Sequence, residues 1–271
     1  MNHSFDISKQ LESILSLVER AGQAVMAVYR LGEQGGEHVG MQLKDDNSPV
    51  TQADLAANEI LCAGLIELTP QIPVVSEENA GSHGKRRADN MFWLLDPVDG
   101  TREFLSRTDE FTVNVALIVN SRVQFGVVQA PALGQLYWGA SELGAWRQDS
   151  AGRQQIRVAD FPAQDSEGRF ERDLRIVASR SHMNDATRRH IENLTPNCLL
   201  GVGSSLKFCR IAEGQADYYP RLGPTCEWDT AAAQAVVEAA GGQVLTLDGA
   251  PLNYGKADVL NPHFLVTAKA P

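Results

Sequence analysis

The stretch Met91-Phe-Trp-Leu-Leu95-Asp96-Pro97-Val98-Asp99-Gly100-Thr101 decides how the rest of the chain is read. Met91 to Leu95 is a continuous apolar run, which predicts a buried strand ending at Asp96-Pro97. The two aspartates, three apart on the tight turn beyond it, can converge on one region. Pro97 fixes φ in that turn and Gly100 permits a backbone angle that other residues resist. The carbonyl of Val98 can then face the same way as both carboxylates. Upstream, Ile72-Pro-Val-Val-Ser76 predicts a short strand running directly into Glu77-Glu78. A lone Asp-Pro turn reads as a solvated loop. Apolar strands that lead straight into several acidic positions do not, because like charges held together raise one another's pKa unless cations are present. Mg²⁺ takes about six oxygen ligands, which carboxylates, carbonyls and waters supply.

A third acidic element is Glu227-Trp228-Asp229-Thr230, followed by an alanine-rich segment that Gly241-Gly242 terminates. Taken alone, Asp229 is expected to be the N-cap of a helix, with the glycines as its stop. Capping and metal ligation are compatible, since one carboxylate oxygen can cap while the other ligates. Gly203-Ser204-Ser205 is expected to open another helix after a strand, where free N–H groups suit an anion. Lys207 and Arg180 can add charge-assisted contacts to a phosphate. A plain Gly-Ser cap with solvated cations fits the same residues equally well. Gly201-Val-Gly-Ser-Ser-Leu206 lacks the third glycine of a dinucleotide fingerprint, and no phosphate loop of the G-x-x-x-x-G-K-[ST] type occurs.

Further out, Ile7, Leu11, Ile14, Val18, Ala21, Val25 and Val28 mark one face of a single core-packed helix. Gly32 to Ser48 reads as a loop or β-turn, and a second helix is expected over Ala53 to Leu68 with Thr51 near its N-cap. Strands expected at 111–119, 123–130, 135–139 and 144–147, separated by short turns, suggest an antiparallel meander. Residues 151 to 173 turn polar and read as a connection, beyond which strand-like and helical stretches alternate. The expected fold is α/β in layers (α+β), one catalytic unit over 1–271 with a sheet in each half. The half over 1–165 carries most of the candidate metal ligands, and the half over 166–271 carries Asp229 and the Arg180 and Gly203–Lys207 segments.

The chain has 271 residues, 43% hydrophobic and 21% charged, enough to bury a sizeable core. No apolar run is long enough to span a membrane, and the N-terminus does not read as a secretory signal, so a cytoplasmic location is expected. The four cysteines are widely spaced and read as reduced thiols; the histidines show no zinc-site spacing. A net charge of −10 argues against a nucleic-acid polymer as partner, but not against a small anion where bound cations reverse the local field. The tryptophans read as core or pocket wall, with Trp228 the one placed to meet a substrate.

The segments VSEE (Val75–Glu78), LDPVDGTREF (Leu95–Phe104) and EWDTAAA (Glu227–Ala233) together resemble the inositol monophosphatase superfamily, over nearly the whole chain and in order. The resemblance implies an αβαβα sandwich and a Mg²⁺-dependent, Li⁺-inhibited phosphatase with two or three metal ions. It implies Glu77, Asp96, the Val98 carbonyl, Asp99 and Asp229 as metal ligands. Thr101 and Asp54 (in Ser48-Pro-Val-Thr-Gln-Ala-Asp54) would orient and deprotonate the attacking water, and Glu78 would help position water. Within the superfamily the chain is most similar to the CysQ-type 3′(2′),5′-bisphosphate nucleotidases, on Ala178-Ser-Arg-Ser-His182 and Gly201–Arg210. That implies hydrolysis of 3′-phosphoadenosine 5′-phosphate to AMP and phosphate by a metal-activated water, a role in sulfur metabolism, and substrate contacts from Arg180, His182, Gly203, Ser204, Ser205 and Lys207. Glu77, Asp99, Gly100, Thr101 and Asp229 would complete the substrate site. The resemblance also allows peripheral association with the cytoplasmic face of the inner membrane. The alternatives are an inositol-1-monophosphatase or related sugar phosphatase, a non-catalytic metal- or nucleotide-binding regulator, and a structural adaptor.

Overall fold

The computed structural model describes residues 6–31, 42–43, 49–88, 90–181 and 183–268; His182 and most of the expected 32–48 loop lie outside the described residues. In chain order, helix α1 (Leu11–Leu31) precedes short strands β1 (Gln42–Leu43) and β2 (Pro49–Val50), helix α2 (Gln52–Leu68) and strand β3 (Val74–Ser76). Short helix α3 (Lys85–Ala88), strand β4 (Met91–Asp99) and short helix α4 (Thr101–Leu105) come next. Strands β5 (Thr112–Val119), β6 (Arg122–Ala130), β7 (Gln135–Ala140), β8 (Gly144–Asp149) and β9 (Gly152–Ile156) form the meander. The remainder is β10 (Leu174–Ser179), α5 (Asp185–Glu192), β11 (Asn197–Val202), α6 (Leu206–Ala212), β12 (Tyr218–Arg221), α7 (Ala231–Ala239), β13 (Gln243–Thr246) and β14 (Phe264–Thr267).

A seven-stranded sheet runs in the order β3 to β9, and a five-stranded sheet in the order β11-β10-β12-β14-β13. Helices α1 and α2 cover one face of the larger sheet. Helix α7 lies on its other face, α6 on the smaller sheet, and the two helices pack on each other. Helix α5 packs against β12, and Ile191 joins Ile176 and Ala178 in a separate apolar cluster from Val177. The result is the expected αβαβα layering.

Strand β4 shows why Met91–Leu95 is apolar without alternation. Trp93 and Leu95 face the α1–α2 cluster, while Phe92 and Leu94 face the cluster that includes α6 and α7. Both faces of a central strand are buried, so the period of two disappears from the sequence. Along α1, Ile14, Val18, Ala21 and Val25 are fully buried on one face, as their spacing predicts. The alanines of α7 serve close packing: a Cβ at Gly126 would lie 2.1 Å from Ala232 O, and one at Gly139 2.8 Å from Val236 Cα. This contact seats the helix that begins just beyond Asp229.

Two local expectations need correction. Strand β4 does not stop at Asp96-Pro97 but continues to Asp99. Asp96 pairs with Asn114 and Asp99 with Thr112, so the extra residue is absorbed as a bulge around Pro97, which has no N–H to pair. The polar stretch from residue 151 holds β9 as its first part. It is an edge strand with four exposed residues and only Ile156 buried, so it carries no apolar pattern. Among the described residues no helix is long and apolar enough to cross a membrane.

Candidate active site

Three chain segments deliver the acidic residues. Glu77 and Glu78 follow β3, where Glu77 N–H donates to Leu95 O (3.1 Å) and Glu78 N–H to Ser76 Oγ (3.3 Å), fixing the turn against β4. Asp96 sits in the β4 bulge, 2% exposed, and its Oδ1 accepts the N–H of Val98 at 3.1 Å. Gly100 then turns the chain at φ 89°, and Thr101 Oγ1 donates to the Val98 carbonyl at 3.4 Å. A side chain at Gly100 would meet Ser204 and the Glu110 carbonyl at 3.2 and 3.3 Å as well as strain the backbone. Asp229 precedes α7. The helix N-cap is Thr230, which makes no side-chain capping bond; Asp229 Oδ2 instead accepts the N–H of Cys226 at 2.8 Å. The carboxylate closes its own turn, so it is not the cap that the sequence pattern suggested.

Glu77, Asp96 and Asp229 each present a carboxylate oxygen within 4.8 Å of the others. Burial drives the Asp96 carboxyl far above its ordinary pKa, and the charges of Glu77, Asp99, Asp229 and Asp54 add to the shift. Asp229 is raised for the same reasons, burial first, then Asp99 and Glu77. Such a cluster is unfavourable without a counter-ion. The donor set contains only hard oxygens and neither imidazole nor thiolate, which suits a divalent cation of the Mg²⁺ type.

Asp99 is not in that triplet. Its Oδ2 is held by Ser205 Oγ (2.6 Å), Thr112 Oγ1 (3.4 Å) and Asn114 Nδ2 (3.5 Å), and Asn114 also donates to Ser205 Oγ at 2.9 Å. Ser205 therefore lies under a carboxylate, bound to protein. Asp54, at the start of α2, accepts the N–H and hydroxyl of Thr51 at 2.8 and 2.6 Å in a capping box, and is 1% exposed. Asp54 is close enough to the cluster for its charge to act on Asp96.

A cavity of about 420 Å³ opens beside the cluster. Glu77, Asp99, Gly100, Thr101, Ser204, Lys207 and Asp229 line it, so seven of the expected residues share one cavity, while Asp54, Glu78, Asp96, Val98, Gly203 and Ser205 are not part of its lining. Ser204 there has φ 44°, a conformation rare for a residue with a side chain. Lys207 is 6% exposed, its ammonium donates to Ser204 O, and burial lowers its pKa to about 8. Arg180 is not part of the cavity lining. Its guanidinium binds Glu110 through two hydrogen bonds (3.0 and 2.9 Å), and the Gly203 N–H donates to the same carboxylate at 2.8 Å. Trp228 is buried against His83 and does not line the cavity.

The sequence patterns missed Arg221, Arg102 and Tyr219 in the cavity wall, and the Thr112 and Asn114 supports of Asp99. Arg221 donates from Nη2 to Pro224 O at 2.7 Å, while its buried Nε has no hydrogen-bond partner among the described residues. A lone arginine at a strand end carries no motif, so only the cavity reveals it.

Residues 7–270 match the inositol monophosphatase family. The chain belongs to that family. It is 43% identical to the 3′(2′),5′-bisphosphate nucleotidase CysQ of Salmonella typhimurium, over 95% of this chain and 99% of the relative. To CysQ of Escherichia coli strain K12 it is 42% identical over the same shares. The crystal structure of CysQ from Bacteroides thetaiotaomicron superposes with a TM-score of 0.81 at 34% identity, covering 98% of this chain and 100% of that one. The fold is thus that of the inositol monophosphatase family, and the chain is a phosphatase.

Proposed function

We propose that this enzyme removes one phosphate from 3′(2′),5′-bisphosphonucleotides, converting 3′-phosphoadenosine 5′-phosphate to AMP and phosphate. The observation that carries this is the composition of a single cavity, whose lining includes the carboxylates Glu77, Asp99 and Asp229 together with the cations Lys207 and Arg221. A substrate with two phosphates has use for both the carboxylate set and the cations. Full-length likeness to the CysQ nucleotidases supports the same substrate class. Its volume falls in the ordinary range for small-molecule sites.

Glu77, Asp96, the Val98 carbonyl, Asp99 and Asp229 would hold Mg²⁺, which when bound lowers the pKa of the attacking water and stabilises charge on the transferring phosphoryl group. Thr101 orients that water and passes its proton toward Asp54, and Glu78 holds a second approach to it. The water oxygen bonds to phosphorus as the ester P–O bond breaks, and the proton that Asp54 took from the water returns through solvent to the nucleotide oxygen, which leaves as a hydroxyl. Ser205, Thr112 and Asn114 keep Asp99 in one orientation throughout. Lys207, Ser204 and Arg221 grip the phosphate that stays on the nucleotide. Arg180 and Gly203 act through Glu110, holding the Gly100 turn against Ser204.

The test is phosphate release from 3′-phosphoadenosine 5′-phosphate and inositol 1-phosphate side by side, with Mg²⁺ and with added Li⁺. Fast, Li⁺-inhibited cleavage of the nucleotide is expected. Preference for the inositol ester would discard the assignment of Lys207 and Arg221. Tight nucleotide binding without hydrolysis would make the protein a regulator.

A further inference from the structure

Glu227, two positions before Asp229, is fully buried. Its Oε1 accepts from the Lys256 N–H (2.9 Å) and ammonium (2.7 Å), and its Oε2 from the Gly255 N–H (3.0 Å). Oε2 also faces Arg86 Nε at 3.5 Å, in an ion pair whose side chains are 3% and 0% exposed. Arg86 lies in α3, shortly after the Glu77–Glu78 turn. Its Nε and Nη1 are buried and make no hydrogen bond among the described residues. Lys256 already pairs with Glu227, so Arg86 is a second buried cation on one carboxylate, two of whose donor nitrogens make no hydrogen bond among the described residues.

Its location suggests another role. His83, on the same segment, has Nε2 3.0 Å from Ser76 O, the residue before Glu77. The His83 ring lies 5.0 Å from that of Trp228, the residue before Asp229. Ser82 Oγ accepts the Ser76 N–H at 3.2 Å. Residues 82–86 therefore grip the residue preceding one carboxylate of the cluster, and touch two residues just preceding another. The two carboxylates come from loops on different halves of the chain, and nothing in the local sequence of either fixes their spacing.

We propose that Arg86 and His83 form a strut that sets the separation of Glu77 and Asp229, and through it the affinity for the divalent cation. Arg86 does not line the cavity, so it is a positioning residue. The proposal rests on the assignment of the acidic cluster as a Mg²⁺ site.

The test uses the full chain with Arg86→Met, which keeps a long stem without the charge, and His83→Ala. Mg²⁺ affinity is read without turnover, from the rise in unfolding temperature with Mg²⁺ concentration; KM for 3′-phosphoadenosine 5′-phosphate is read separately at saturating Mg²⁺. Each variant should weaken Mg²⁺ binding by about tenfold or more, as loss of an orienting partner does, and leave KM at saturating Mg²⁺ unchanged. Arg86→Lys should recover part of the loss. Arg172→Gln, which disturbs the buried Asp217 at the opposite end of β12 from the cavity, should lower the unfolding temperature without moving Mg²⁺ affinity. Should Arg86→Met not fold, His83→Ala decides the matter alone. Variants that bind Mg²⁺ as tightly as wild type overturn the strut. A wild type with no Mg²⁺-dependent rise overturns the metal site itself.

Discussion

Asp96 and Asp217 are both enclosed aspartates, 2% and 0% exposed, yet their surroundings push them in opposite directions. Burial works against the charge of each. At Asp217 it is outweighed by hydrogen bonds from Arg172 (2.7 and 3.0 Å) and Arg175 (3.0 and 2.6 Å), which hold its pKa down at about 2. Asp96 is surrounded by Glu77, Asp99, Asp229 and Asp54, and its pKa is driven up. The chain can supply a counter-charge to a buried carboxylate, and does so for Glu227 with Lys256 and Arg86. In the acidic cluster it concentrates negative charge. A fold that neutralises some carboxylates from within and groups others together leaves the second kind in need of a counter-charge, which the proposed Mg²⁺ would supply.

The largest effect that could break this contrast is on turnover. Asp54→Asn keeps an acceptor oxygen for Thr51, so the capping box and the fold should survive, while kcat falls by about a thousandfold or more. Near-wild-type kcat would remove Asp54 from the proton path.

Asp217→Asn probes the neutralised side. A carboxylate whose folded pKa is depressed stabilises the native state above its unfolded pKa and loses that contribution as pH falls through the folded value. Wild type should therefore exceed Asp217→Asn in stability by up to about 2 kcal/mol at pH 7, and the gap should close between about pH 4 and 2. Chemical denaturation across that range checks it. A pH-independent gap would mean that the ion pair is not its source.

Asp96→Asn probes the other side and should have the opposite sign. Removing one of several like charges should raise the unfolding temperature of the metal-free protein, by about 1 kcal/mol in stability, and abolish the further rise with Mg²⁺. A drop in the metal-free protein would show that Asp96 is held by something other than repulsion offset by a cation.

The acidic side of this contrast was legible in the sequence because it is local; the arginines that neutralise Asp217 carried no sequence signal. Glu77, Asp96, Asp99 and Asp229 each stand at or beside the end of an element, and Thr51 was readable as lying near the N-cap of α2, though its bonds to Asp54 were not. What stayed hidden depends on contacts between distant segments. Arg221 joins Lys207 and the carboxylates in one cavity lining only once distant segments have folded together. That Arg180 pairs with Glu110 and stands outside the cavity lining could not be read either, because Glu110 lies 70 residues away. Asp229 looked like a helix cap because spacing cannot show that its carboxylate turns back to Cys226. Strand β9 escaped because its exposure leaves no apolar residues to alternate.

The most direct test of the contrast is a calorimetric titration of Mg²⁺ into wild type, Asp217→Asn and Asp229→Asn. Saturable binding in wild type, unchanged affinity in Asp217→Asn, and a loss of about tenfold or more in Asp229→Asn are expected. No saturable binding in wild type, or an Asp229→Asn variant that binds as tightly, would contradict the assignment of the acidic cluster as the enzyme's metal site.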